Sequence, residues 1–313
     1  MKVITHEDII TLGVSGVQCL EWAIEALKIK SASQLPPKIS MARDGNVFIN
    51  VMPSVLESRG VYGVKVVSRY PNNTPALNSE IFLYELDTGT LLALLDGNWI
   101  TTYRTGAVAA LSIDLLGKKD FETIGIIGLG NTARAMLDVL LDSQLGRKLT
   151  IKLKQYKEQE LDFMQRYQYH PNIRFILCQD NEELIRESDV VVSCVTYAEN
   201  LVGRDDWFQE GVLVVPVHTR GFQNCDLFFD KIVADDRGHV EGFKYFNEFR
   251  KFEELSDVVL GVSSGRENEK QRILAYNIGI ALQDVYFALQ VYKRLESSAP
   301  SIDLKIPISK FWV

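Results

Sequence analysis

The chain has 313 residues, 46% hydrophobic and 24% charged, which supplies apolar material for about two packed domains. A formal net charge of −7 argues against a nucleic-acid footprint, no apolar run approaches the ~18 residues of a membrane span, and the opening Met-Lys-Val-Ile-Thr-His lacks a secretion-signal pattern. Cys19, Cys178, Cys194 and Cys225 form no Cys-x-x-Cys pair and the four histidines show no metal-ligand spacing, so the chain reads as a soluble, reduced, cytoplasmic protein without zinc or disulfides.

The first hundred residues mix one helix with short β-rich runs. The helix covers about 17–30, and the runs follow at 38–41, 47–52, 60–67, 80–86 and 91–95. Asp44-Gly45-Asn46 and Asp87-Thr88-Gly89 supply hairpin turn chemistry, which predicts an antiparallel-leaning sheet with a helix, an α+β domain. Lys65 stands in Val61-Tyr62-Gly63-Val64-Lys65-Val66-Val67, where alternation puts it on the face of Gly63 and Val67. It is either a functional cation or a solvent-facing lysine on a half-exposed strand. A helix over about 98–116 then carries Arg104 among the small residues of Thr101-Thr102-Tyr103-Arg104-Thr105-Gly106-Ala107. Small neighbours leave room for a guanidinium to grip a carboxylate or phosphate with its fork. An arginine in an interdomain ion pair is the other reading.

From Thr123 to about Asp235 the pattern alternates as a parallel sheet requires, with strands expected at 124–128, 149–153, 173–177, 190–195, 212–217 and 232–234. The first ends in Gly128-Leu129-Gly130-Asn131-Thr132-Ala133 and a helical segment follows at once. The first glycine makes a tight turn, the second lets backbone approach a pyrophosphate, Ala133 lets helix pack on strand, and the helix N-terminus attracts phosphate. This predicts a dinucleotide site, against the plainer possibility of an ordinary strand-to-helix turn. After the second strand, where a ribose-binding acid usually stands, the sequence is Leu153-Lys154-Gln155-Tyr156-Lys157. Lys154 and Lys157 suit a 2′-phosphate, hence NADP(H) over NAD(H), unless they are solvated surface lysines. His218-Thr219-Arg220-Gly221 follows Val217 at a strand's carboxyl end, where open α/β sheets bind ligands. His218 is the histidine placed to carry a proton near neutral pH, or else a loop histidine bonded to nearby backbone. A last apolar pattern over about 270–295 reads as one long buried helix returning to the first domain. The fold class expected is α/β: a Rossmann-type NAD(P)-binding domain over 117–285 plus a discontinuous α+β domain over 1–116 and 286–313.

In order and combination these residues resemble the ornithine cyclodeaminase/μ-crystallin family from Val3 to about Leu295. The landmarks are Pro36-Pro37-Lys38, Met52-Pro53, Gly63-Val64-Lys65-Val66-Val67, Asp87-Thr88-Gly89, Arg104-Thr105-Gly106-Ala107, the Gly128–Ala133 turn and Gly279-Ile280-Ala281-Leu282-Gln283-Asp284. The resemblance implies a homodimer pairing through its first domains, NAD(P) in the second, and hydride transfer at the Cα of an amino or imino acid. It implies substrate contacts at Lys38 (usually Arg), Asn50, Met52, Lys65 and Arg104. Cofactor contacts are implied at Thr105, Thr132, Thr196, Val217 and Asn277. No metal, nucleic acid or membrane partner is implied.

Two positions depart from the ornithine-converting branch. Its glutamate two residues before Met-Pro is Asn50 here, and its catalytic aspartate after the strand ending at Val217 corresponds to Arg220. The chain therefore resembles the non-cyclising branches: alanine dehydrogenases, ketimine reductases and siderophore-precursor dehydrogenases. Arg220 would read a second anionic group on the substrate. An ornithine or lysine cyclodeaminase releasing ammonia, and an NADPH-dependent binding protein without turnover, are the alternatives.

Overall fold

The computed structural model describes residues 1–195, 198, 200–218 and 221–304, so Thr196 and Arg220 lie outside the described residues. The chain forms two compact units: Met1–Gly13, Ser31–Thr101 and Asp284 onward make the first, Val14–Lys30 and Thr102–Gln283 the second.

The first unit begins with β1 (Lys2–Ile4) and α1 (His6–Thr11), and continues with β2 (Ser33–Gln34), β3 (Ile39–Arg43), β4 (Val47–Leu56), β5 (Val61–Arg69), β6 (Leu77–Glu85) and β7 (Leu91–Asp96). The sheet order is β1-β7-β6-β5-β4-β2 with β3 on β4, antiparallel except where β1 runs parallel to β7. Both expected turns use left-handed residues, Gly45 at φ +77 and Asn46 at φ +59, then Gly89 at φ +69. One face is buried: Met52, Ser54 and Leu56 of β4 stand beside Lys65, Gly63 and Val61 of β5.

The second unit takes α2 (Gly16–Lys28) and most of α3 (Asn98–Leu116). Its sheet is made of β8 (Thr123–Ile127), β9 (Leu149–Lys154), β10 (Ile173–Cys178), β11 (Val190–Ser193), β12 (Leu213–Pro216), β13 (Lys231–Ala234), β14 (Phe252–Glu254) and β15 (Ile273–Tyr276). The helices between them are α4 (Asn131–Ser143), α5 (Gln159–Arg166), α6 (Asn181–Ile185) and α7 (Leu255–Val259), and α8 (Ala281–Leu295) follows β15. Every strand pairing is parallel, in the order β10-β9-β8-β11-β12-β15-β13-β14. Successive strands leave β8 on one side as far as β10, then β11 returns to its other side. That reversal is the switch point at which such sheets bind ligands.

Two expectations need correction. The apolar pattern over 270–295 is not one helix: its first part is β15, a fully buried strand between β12 and β13, and the helix begins at Ala281. A strand buried on both faces reads as a continuous apolar run, so periodicity alone does not separate it from helix. The domain limits also differ, because residues 14–30 and 102–116 pack with the second unit. Ser15 caps α2 in a capping box with Gln18. A Cβ on Gly16 would stand 2.7 Å from Val139 Cα, so the missing side chain is what lets α2 lie on α4. Asp142 accepts from the Gly16 N–H at 2.7 Å. No helix of the described residues is long and apolar enough to cross a membrane.

Candidate active site

The carboxyl ends of the parallel strands gather most of the expected site residues of the second unit. After β8, Gly128 adopts φ +85, and a Cβ there would stand 2.9 Å from Cys194 C and Val195 N on the neighbouring strand exit. Gly130 is different. Its φ of −76 suits any residue, and an added Cβ would meet no atom within 4 Å. It is the N-cap of α4, and no side chain caps the helix. Exposed Asn131, half-buried Thr132 and buried Ala133 complete the turn. Open space before an uncapped helix N-terminus fits the pyrophosphate of a dinucleotide. Gly106 extends the same logic to α3: a Cβ there would stand 2.6 Å from Met136 N, so α3 crosses α4 at backbone contact beside half-buried Thr105.

Lys154 ends β9 half-exposed, with the next peptide fixed by Gln155 N–H donating to Cys178 O at 3.0 Å. Lys157 is exposed, its ammonium 5.1 Å from the Tyr156 ring centre. The nearby acid, Glu160, accepts from the Tyr156 N–H at 2.9 Å.

His218 and Ser193 follow or end adjacent strands, and their Nε2 and Oγ atoms are 2.7 Å apart. The imidazole also stacks on Phe222 at 6.3 Å between ring centres. These contacts orient the ring beside Val217, at the same sheet edge as the Gly128 turn. One bonding partner is thus a side chain on the neighbouring strand. Cys194, next to that turn, is no thiolate: burial pushes its pKa up to about 12.

Arg104 is 5% exposed, and the space a Cβ of Gly279 would occupy holds its guanidinium, with Cζ 2.9 Å away. Gly279 adopts φ +93 and donates its N–H to the buried Asp235 carboxylate. Asn277, expected beside the cofactor, spends its amide on α3: it donates to Ser112 Oγ at 2.8 Å and accepts from that hydroxyl at 3.1 Å. It pins the end of β15 to the helix that carries Arg104.

In the first unit Lys65 is completely buried, which excludes the solvent-facing reading. Its ammonium lies 2.7 Å from Asp284 Oδ2, itself fully buried. Met52 is the cross-strand neighbour of Lys65, and half-buried Asn50 stands two residues further along the same face. Lys38 is half-buried just before β3. Sequence reasoning missed Asp284, Ser193 and Asp235. The signal for Asp284 was available as an acid inside an otherwise apolar helical pattern.

The family model described as Ornithine cyclodeaminase/mu-crystallin family matches residues 2–299. Delta(1)-pyrroline-2-carboxylate reductase of Bacillus cereus is 26% identical over 304 residues, spanning 88% of this chain and 91% of its own. N-((2S)-2-amino-2-carboxyethyl)-L-glutamate dehydrogenase of Staphylococcus aureus is 26% identical over 270 residues, 79% of either chain. Among solved structures, Thermococcus litoralis Delta(1)-pyrroline-2-carboxylate reductase in complex with NADH and L-proline superposes with a TM-score of 0.85 at 26% identity. That match spans 96% of this chain and 100% of the other.

Proposed function

We propose that this chain, which belongs to the ornithine cyclodeaminase/mu-crystallin family, reduces the C=N bond of an imino acid, or oxidises the matching amino acid, on a substrate bearing a second carboxylate. It is an NAD(P)-dependent enzyme of the imine-reductase and amino-acid-dehydrogenase kind. The observation that carries the reading is the open, uncapped Gly130 turn at the sheet's switch point, with His218 oriented by Ser193 on the same edge. The cofactor, when bound, supplies or takes the hydride.

Each remaining step belongs to named side chains. Arg104 and Lys65 hold the α-carboxylate, and their charge favours the polarised C=N bond as electron density moves toward nitrogen. His218 delivers the proton to that nitrogen, or removes it in the reverse direction. Arg220, outside the described residues, reads the second carboxylate, and Asn50 stands where an acid would repel it. Lys38 and Met52 line the substrate side, while Thr105, Gly128, Asn131, Thr132, Ala133, Thr196, Val217 and Asn277 lie along the cofactor. NADP(H) is favoured over NAD(H), with Lys154 pairing with the 2′-phosphate. The exposed apolar side chains of β3, Ile39 at 59% and Met41 at 47%, support pairing of two copies through this sheet.

The test is absorbance of NADPH and NADH with three substrate classes: Δ1-pyrroline-2-carboxylate, an N-(2-amino-2-carboxyethyl) amino dicarboxylate in the oxidative direction, and L-ornithine. The dicarboxylate is expected to be turned over best, with NADPH bound about tenfold more tightly than NADH. No proline should form from ornithine, whose ammonium would face Arg220. Catalytic proline and ammonia production would refute the reading.

A further inference from the structure

We propose that Asp235 is a positioning residue for Arg104, acting through the backbone of Gly279. The inference rests on the reading of Arg104 as the group that grips the substrate carboxylate. Asp235 directly follows β13 and is 1% exposed. One of its carboxylate oxygens accepts the Gly279 N–H, and the other lies 3.4 Å from His239 Nδ1. Its own N–H donates to Tyr276 O at 3.1 Å, across the pairing of β13 with β15. Gly279 therefore cannot rotate its peptide without breaking a bond to a buried carboxylate.

That peptide matters because the Arg104 guanidinium occupies the space a Gly279 side chain would fill. The left-handed φ of +93 presents bare backbone there, and Asp235 holds it in place. On the far side, Asn277 is tied to Ser112 and to Val108 O of α3, so the strand exit is fixed at both ends around the arginine. A small misplacement of a substrate-gripping cation lowers productive binding far more than it disturbs the fold.

The experiment is a double-mutant cycle read as kcat and KM, on whichever of Δ1-pyrroline-2-carboxylate or the N-(2-amino-2-carboxyethyl) amino dicarboxylate the parent turns over. Asp235→Ala should lower kcat/KM at least tenfold, mainly through KM. Asp235→Asn keeps an oxygen that accepts from Gly279 N–H and should recover to within about threefold of the parent. Gly279→Ala keeps the Asp235 side chain but strains the peptide it holds and displaces the guanidinium, and should reproduce the loss. In the Asp235→Ala background, Arg104→Ala should then cost at least threefold less than it does in the parent.

Additive losses, an unimpaired Asp235→Ala, or an Asp235→Asn as poor as the alanine variant would each overturn the positioning role while leaving Arg104's own role standing. An unimpaired Arg104→Ala would remove that role, and this inference with it. A parent that turns over neither substrate would do the same by removing the proposed function.

Discussion

Two buried cations carry the proposed chemistry, and they are held differently. Arg104 is walled by the backbone of Gly279, so its removal leaves space and takes a charge from the site. Arg104→Ala should lose at least about thirtyfold in kcat/KM and remain folded, since losing one side of a desolvated charge contact typically costs roughly 2–5 kcal/mol. Unchanged steady-state kinetics would return the residue to a structural role. Lys65 is bound to a carboxylate as inaccessible as itself. Lys65→Met takes a buried cation from beside the buried Asp284 carboxylate and should destabilise the protein by about 3–5 kcal/mol. Lys65→Met combined with Asp284→Leu should recover most of that in urea unfolding without recovering activity. Full activity in the double variant would show that the lysine serves packing alone.

At the level of elements, Gly130 separates folding from binding. Gly130→Ala places a methyl group where no protein atom lies within 4 Å, in a backbone conformation open to any residue. The cost to stability should be at most about 1 kcal/mol, since alanine is a slightly poorer cap. Calorimetric affinity for NADPH should nevertheless fall at least tenfold, because the methyl fills the approach of the pyrophosphate. Undiminished affinity would move the cofactor away from this turn. The same element shows what was legible in the sequence. Gly128 and Ala133 reveal a strand, turn and helix because each answers a local steric demand that spacing records, while Gly130 keeps the approach to the helix N-terminus open. Helix α3 was equally readable, its span in the structure matching that expected from the sequence. Strand β15 was not, because Ile273–Tyr276 is apolar throughout and carries no alternation. Asn277-Ile278-Gly279 was the break that could have divided it from α8. Pairings such as Ser193 with His218 or Asp235 with Gly279 depend on which strands become neighbours, and strand order leaves no mark on local sequence.

For the molecule as a whole, a buried carboxyl ties stability to pH. Asp226 sits in the second unit's core, 1% exposed, and accepts a 2.6 Å hydrogen bond from the Tyr276 hydroxyl. Burial pushes its pKa up from 3.8 to about 6, opposed in part by that bond. The folded-state value lies above the unfolded one, so this stabilisation is fully present below about pH 4 and is lost as pH rises through about 6. The urea midpoint of the parent should therefore fall between pH 5 and 7.5 by more than that of Asp226→Asn. The difference should be about 1–3 kcal/mol, at 1.4 kcal/mol per pKa unit. Parallel curves for the two proteins would dismiss the carboxyl as the cause.

The first unit is closed by residues made long after most of its strands. Val3 N–H donates to Pro300 O, Lys2 bridges to Ser301, and the Lys65 ammonium waits for Asp284. On the ribosome, β5 emerges roughly two hundred residues before its counter-charge exists. The strands that begin the chain thus cannot reach their final burial during most of synthesis, while β8 to β15 and the helices between them are already complete when Asp284 is added. A released chain shortened to residues 1–280 should therefore carry a protected second unit and a first one still open to protease.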